Sequence, residues 1–145
     1  MNKRFNIRVY GLLINDNKEV LISKERRFGK SFSKFPGGGL EWGEGTIDCL
    51  KREYKEELNI EISELEHYYT TDFFQESAFR QGDQLISIYY KVKSAQSDSI
   101  PNGFSAVDVE PGDENFFYWI PIIDLSEEMV SYPIDKKIVR ELINN

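Results

Sequence analysis

A chain of 145 residues with 40% hydrophobic and 14% aromatic residues can bury one sizeable core and is too short for two ordinary ones, so a single domain over residues 1–145 is expected. Its formal net charge of -7 argues against long nucleic acid and against an anionic membrane surface as partners, because the long-range field repels both. One cysteine, Cys49, excludes an intramolecular disulfide.

The first segment, "MNKRFNIRVYGLLIN", has no long apolar run and no small-residue cleavage pattern, and no stretch approaches the roughly 20 apolar residues of a membrane span. A cytoplasmic location is expected. Residues 5–14, rich in β-branched and aromatic side chains, predict a strand, and residues 20–23 predict its partner across the turn "NDNKE". The basic stretch "KERRFGKSFSK" reads as a loop that Pro36 and the following glycines extend. A helix is predicted from Thr46, as its cap, to Leu58. "IEISELEHYYTTDFF" reads as extended chain and "DQLISIYYKVKS" as a strong strand. A long polar loop over residues 95–114 follows, then a short aromatic strand at "NFFYWIP". Pro133 suits the first turn of a last helix, on which Ile134, Ile138, Val139 and Leu142 recur at helical spacing. Strands around one central helix, with a second helix at the end, predict a mixed α/β (α+β) domain rather than a repeating βαβ array.

At about 100° per residue, Ile47, Leu50, Tyr54 and Leu58 form one stripe of the central helix and should face the core. Glu53, Glu56 and Glu57 gather on a neighbouring stripe at spacings of three and four, where like charges repel. Arg52 is too few to neutralise them. A solvated acidic face is the plain alternative, but several hard oxygen ligands on a rigid element suit Mg²⁺ or Mn²⁺. Gly37 to Gly39, just before the helix, could bring a backbone carbonyl close to the same ion. Ions of this kind handle phosphate oxygens.

This combination resembles the signature box of the Nudix hydrolases, the MutT-like pyrophosphohydrolases, whose pattern is G-x5-E-x7-R-E-U-x-E-E-x-G-U with U aliphatic. Gly38, Glu44, Arg52-Glu53, Glu56-Glu57 and Ile60 fall in register over residues 38–60, and every charged position is met. Tyr54 stands where an aliphatic residue is usual. Asn59 stands where the last glycine is usual, at a helix end that often needs a left-handed residue. The flanks "KFPGGGLEWGE" and "FYWIPIIDL" are also similar to common family segments.

The resemblance implies an α/β/α sandwich around a mixed β-sheet. It also implies metal-dependent hydrolysis of a small nucleotide-type substrate, a nucleoside diphosphate linked to another moiety. Carried over by position, Glu53, Glu56 and Glu57 are the metal ligands with a carbonyl from Gly38. Glu44 acts behind them, and Arg52 orients Glu53. The water-activating base varies in the family, which leaves Glu53, Glu114 and Glu110 as candidates. Arg26 or Arg27, from the basic cluster that also holds Lys24, Lys30 and Lys34, is the candidate for substrate phosphates. Tyr69, Phe73, Phe74 and Tyr90 are candidates to stack on a base, with core packing as the ordinary alternative. His67 and Cys49 are read as structural. "FFQESAF" lacks the tyrosine or proline that marks some subfamilies, so a nucleoside triphosphate or a nucleotide sugar stays open. Many relatives are dimers, which admits a homodimer. Some relatives bind a nucleotide-like ligand without hydrolysing it, but those usually carry a degraded box.

Overall fold

The computed structural model describes residues 2–106 and 109–144. Among them run β1 (Arg4–Leu13), β2 (Glu19–Arg27), β3 (Lys30–Lys34), β4 (Gly37–Gly39), α1 (Thr46–Leu58), β5 (Ser63–Thr70), β6 (Asp83–Lys93), β7 (Phe104–Ser105), β8 (Glu114–Pro121) and α2 (Pro133–Ile143). Two four-stranded sheets form, in the orders β4-β1-β6-β5 and β3-β2-β8-β7. The first is mixed: β1 runs parallel to β6, in continuous register from Arg4↔Asp83 to Leu13↔Val92, and antiparallel to β4. The second is antiparallel throughout.

Alternation along β1 sets the layers, since successive side chains of a strand point to opposite faces. Val9 and Leu13 join one core with Leu50, Tyr54 and Leu58 of α1. Tyr10 and Leu12 join a second core with Ile134, Ile138, Val139 and Leu142 of α2. β2 divides the same way, with Leu21 in the first core and Val20 and Ile22 in the second. The sheets therefore lie between the two helices, as the expected sandwich requires.

The bounds of the central helix agree with the sequence reading, but its stripe is rotated. Cys49 is buried, while Ile47 is 41% exposed. Gly45, not Thr46, is the cap, without a side-chain hydrogen bond; the Thr46 hydroxyl pairs instead with the Tyr90 hydroxyl at 2.7 Å. Asn59 closes the helix in the left-handed region (φ 56°), its N–H donating to the Lys55 carbonyl. Tyr54 fits among aliphatic neighbours because Gly11 makes room for it. A Cβ on Gly11 would lie 2.5 Å from the Tyr54 hydroxyl, which donates to the Gly11 carbonyl at 3.1 Å.

Two segments expected as loops are strands. "KERRFGKSFSK" is the β2–β3 hairpin, closed by a two-residue turn with both Phe28 (φ 53°) and Gly29 (φ 73°) at positive φ. Such turns match the strand twist, but a Phe there carries no turn signal, and the hairpin's polar ends hide the alternation. The glycines form β4, paired with β1 as Val9↔Gly38. The polar loop over residues 95–114 contains β7, and its Val107 and Asp108 lie outside the described residues. Among the described residues no helix is long and apolar enough to cross a membrane.

Candidate active site

Arg52 organises the acidic end of α1. Its Nε donates to Glu44 Oε2 at 3.0 Å and its Nη2 to Glu44 Oε1 at 2.7 Å, a two-pronged grip. Nη1 donates to Glu53 Oε1 at 2.9 Å and to Glu56 Oε2 at 3.3 Å, and Nη2 also reaches the Gly39 carbonyl at 3.1 Å. The Glu41 N–H adds a bond to Glu44 Oε1 at 2.9 Å. The Arg52 hydrogen bonds, with this backbone one, draw the Glu44 carboxyl down to about 2. Hydrogen bonding to Glu44 raises Arg52 in turn. One guanidinium thus serves three of the four box carboxylates.

Glu53 is placed by what Gly38 lacks. A Cβ at position 38 would stand 2.5 Å from Glu53 Oε1, so the carboxylate fills the space of the missing side chain. Burial raises the Glu53 carboxyl, with Arg52 opposing. Glu57, one turn further on, receives nothing from Arg52. Its Oε2 is buried without a hydrogen-bond partner. Burial pushes its carboxyl up to about 7, although Lys34 pulls the other way.

Among the described residues no three His, Cys, Asp or Glu side chains stand together as a ready-made metal cage. The donor set nevertheless fits a hard divalent ion. An orphaned, buried carboxylate oxygen is costly and needs an outside partner. Glu53 lies one turn away, and both side chains line the same cleft as Gly38.

That cleft, of about 490 Å³, follows the alternation of the two parallel strands. Arg4, Asn6, Arg8 and Tyr10 of β1 line it, as do their register partners Asp83, Leu85, Ser87 and Tyr89 of β6. It is the continuation, past the end of α2, of the sheet face that α2 covers further on. Lys34 reaches it almost fully buried, 3.6 Å from Glu25 and 5.7 Å from the Tyr10 ring centre. Asp135, at the start of α2, accepts from the Tyr89 hydroxyl at 2.5 Å. Burial pushes the Asp135 carboxyl up to about 6. At the rim, the Phe79 ring packs 5.1 Å from Phe32 and 5.8 Å from Tyr132.

Glu53, Glu57, Gly38 and Arg27 line the cleft, while Glu44, Arg52 and Glu56 adjoin it through the network around Arg52. Arg26 and Glu114 do not line it; they are exposed and face each other in the β2–β8 register. Arg27 forms an ion pair with Asp113 at 3.6 Å. Of the stacking candidates, Tyr69, Phe73, Phe74 and Tyr90 all lie outside this cleft, and the rings that line it are Tyr10, Phe79, Tyr89 and Tyr132. His67 is exposed and bonds to Thr70, and burial pushes the Cys49 thiol up to about 12. Sequence reasoning passed over Arg8, Phe79, Tyr132 and Asp135 and gave Lys34 no role of its own. For Arg8 a signal existed: Arg4, Asn6 and Arg8 alternate with Phe5, Ile7 and Val9, so one face of β1 was visibly polar.

A family model described as NUDIX domain matches residues 4–142. Nudix hydrolase 2 of Arabidopsis thaliana is 37% identical over 83 residues, covering 55% of this chain and 27% of that protein. The mitochondrial NAD(P)H pyrophosphatase NUDT13 of Homo sapiens is 26% identical over 86 residues, covering 59% of this chain and 23% of that protein. The chain thus spans about a quarter of the length of these curated relatives. Among solved structures, a MutT NUDIX hydrolase from Burkholderia pseudomallei superposes with a TM-score of 0.69 at 18% identity, covering 97% of this chain and 99% of that one. A NUDIX hydrolase from Nitrosomonas europaea does so with 0.68 at 18% identity, covering 95% and 88%. At these identities the likeness is one of fold.

Proposed function

The chain belongs to the Nudix family, and we propose that it is a pyrophosphohydrolase cleaving the pyrophosphate link of a nucleoside diphosphate joined to another group, a nucleoside triphosphate or a nucleotide sugar. The observation that carries the reading is the buried, partnerless Glu57 oxygen, one turn from Glu53 on a helix in register with the box. Glu53, Glu56 and Glu57, with the Gly38 carbonyl, would hold Mg²⁺ or Mn²⁺. When bound, such an ion neutralises phosphate charge and polarises the phosphoryl oxygens.

The chain's own residues supply position and proton transfer. Arg52 holds Glu53 and Glu56 in place and is itself fixed by Glu44. Water attacks one phosphorus, the anhydride P–O bond breaks, and a carboxylate takes the water proton. Glu53 is assigned that role because it lines the cleft, which neither Glu110 nor Glu114 does. Arg27, on the cleft face of β2, is the better placed of the two arginines for substrate phosphate. Tyr132 and Phe79 offer aromatic faces at the rim for a base.

The test is turnover of a panel of nucleoside diphosphate derivatives with Mg²⁺ or Mn²⁺, wild type against Glu57→Gln. Ion-dependent activity that collapses in the variant supports the reading. A folded protein that binds the ion and turns over nothing in the panel favours a ligand-binding module instead.

A further inference from the structure

Five cations line the cleft, and all but one have a carboxylate within reach. Arg4 holds Asp83 at 2.7 Å, Arg80 stands 4.0 Å from the same carboxylate, Lys34 3.6 Å from Glu25, and Arg27 3.6 Å from Asp113. Among the described residues no carboxylate oxygen comes within 4.0 Å of Arg8, which is half-buried in the middle of β1. Its one hydrogen bond runs from Nε to the Tyr10 hydroxyl at 3.0 Å, so both terminal nitrogens keep their donors free. A guanidinium never sheds its charge. Glu53 and Glu25 attract it only from beyond contact distance, so its terminal nitrogens still have room for the oxygens of a bound anion.

The surroundings bring Arg8 close to the signature box. Arg8 pairs with Gly39 across the sheet, and its Nη1 lies 3.3 Å from where a Cβ on Gly39 would be. The next residue, Gly38, carries the Glu53 carboxylate against it. Adjacent residues of a side-chain-free strand, facing its opposite sides, therefore back Arg8 and Glu53, and the Glu53 charge attracts the guanidinium. Tyr10, on the same face as Arg8, fixes the side chain through its hydroxyl and lies under the guanidinium, 5.8 Å from ring centre to Cζ.

We propose that Arg8 is a substrate-binding residue that grips non-bridging oxygens of the pyrophosphate with both terminal nitrogens, oriented by Tyr10. The inference rests on the pyrophosphohydrolase reading and adds to it a contact outside the signature box. The fork geometry matches two oxygens of one phosphoryl group, which a lysine ammonium cannot do.

The experiment is calorimetric titration of imidodiphosphate, which resists hydrolysis, in the presence of Mg²⁺, into wild type, Arg8→Gln and Arg8→Lys. Losing a two-pronged, charge-assisted contact should weaken binding about 10- to 100-fold in Arg8→Gln, and Arg8→Lys should recover only part of it. KM for the substrate should rise in parallel. Wild type that binds while Arg8→Gln binds equally well overturns this inference and leaves the pyrophosphohydrolase reading standing. Wild type that shows no Mg²⁺-dependent binding overturns both. If Arg8→Gln does not fold, Arg8→Lys decides: a loss of about threefold or more supports the fork, and unchanged affinity overturns it.

Discussion

The Glu53 carboxylate occupies the volume that a side chain at Gly38 would need, with Oε1 2.5 Å from the missing Cβ. The glycine that opens the box and the glutamate fifteen positions later are thus two halves of one fit. Gly38→Ala should push Glu53 off its place beside Arg52. A displacement of about 1 Å at a reacting group costs on the order of 10²-fold. The expected outcome is a kcat lowered by about that factor with the fold retained, checked by steady-state kinetics beside circular dichroism.

Glu57→Gln removes a buried carboxylate whose Oε2 has no hydrogen-bond partner. In chelator, the variant should melt at or above the wild-type temperature. Adding Mg²⁺ or Mn²⁺ should raise the wild-type midpoint and leave the variant's nearly still, since an ion binding only the folded state stabilises it by mass action. Thermal melts with and without the ion read both effects. Equal ion-induced shifts in the two proteins would remove Glu57 from the ligand set.

Arg52→Lys cannot span the two oxygens of Glu44. In wild type the Glu44 carboxyl lies at about 2, below its unfolded value. Its contribution is therefore present above the unfolded value and is lost as pH falls through the folded one. The variant should lose stability at neutral pH and lose less of it on acidification between pH 4.5 and 2. Denaturant unfolding of both proteins across that range gives the two slopes, and parallel slopes would contradict the linkage.

Asp135 has the opposite sign. Its carboxyl is raised from 3.8 to about 6 in the folded chain, so the folded state binds more protons between those values. Stability then falls as pH rises through that window and levels off above it. Two units correspond to about 3 kcal/mol as an upper order of magnitude. Asp135→Asn can still accept from the Tyr89 hydroxyl. The variant should equal wild type near pH 4 and exceed it by about 1–3 kcal/mol at pH 7.5, measured by urea unfolding at both values.

How far the sequence could be read follows from which residues face a core. The second helix was legible residue by residue: Ile134, Ile138, Val139 and Leu142 are all buried. The central helix was legible in its bounds and its left-handed end at Asn59. The swap of Ile47 for Cys49 on its buried side was not: period favours Ile47, and only the folded chain brings Cys49 against the Gly39 carbonyl of β4. The β2–β3 hairpin was hidden because its outer half has no apolar face to alternate. The site divided along the same line. Its acidic half lies within one stretch with fixed spacing. Arg8, Lys34, Phe79 and Tyr132 come from separate elements that only the sheet order brings to one cleft.

β1 holds two kinds of residue in strict alternation, with the floor of the cleft at Arg4, Asn6, Arg8 and Tyr10 and packing at Val9 and Leu13 on its other face. Mutational drift at Arg4 and Asn6 would alter ligand preference while leaving both cores and the glutamates of α1 in place. A duplicated copy of this chain could acquire a new substrate through two alternate substitutions in one strand, while Arg8 and the hydrolytic chemistry stayed ancestral.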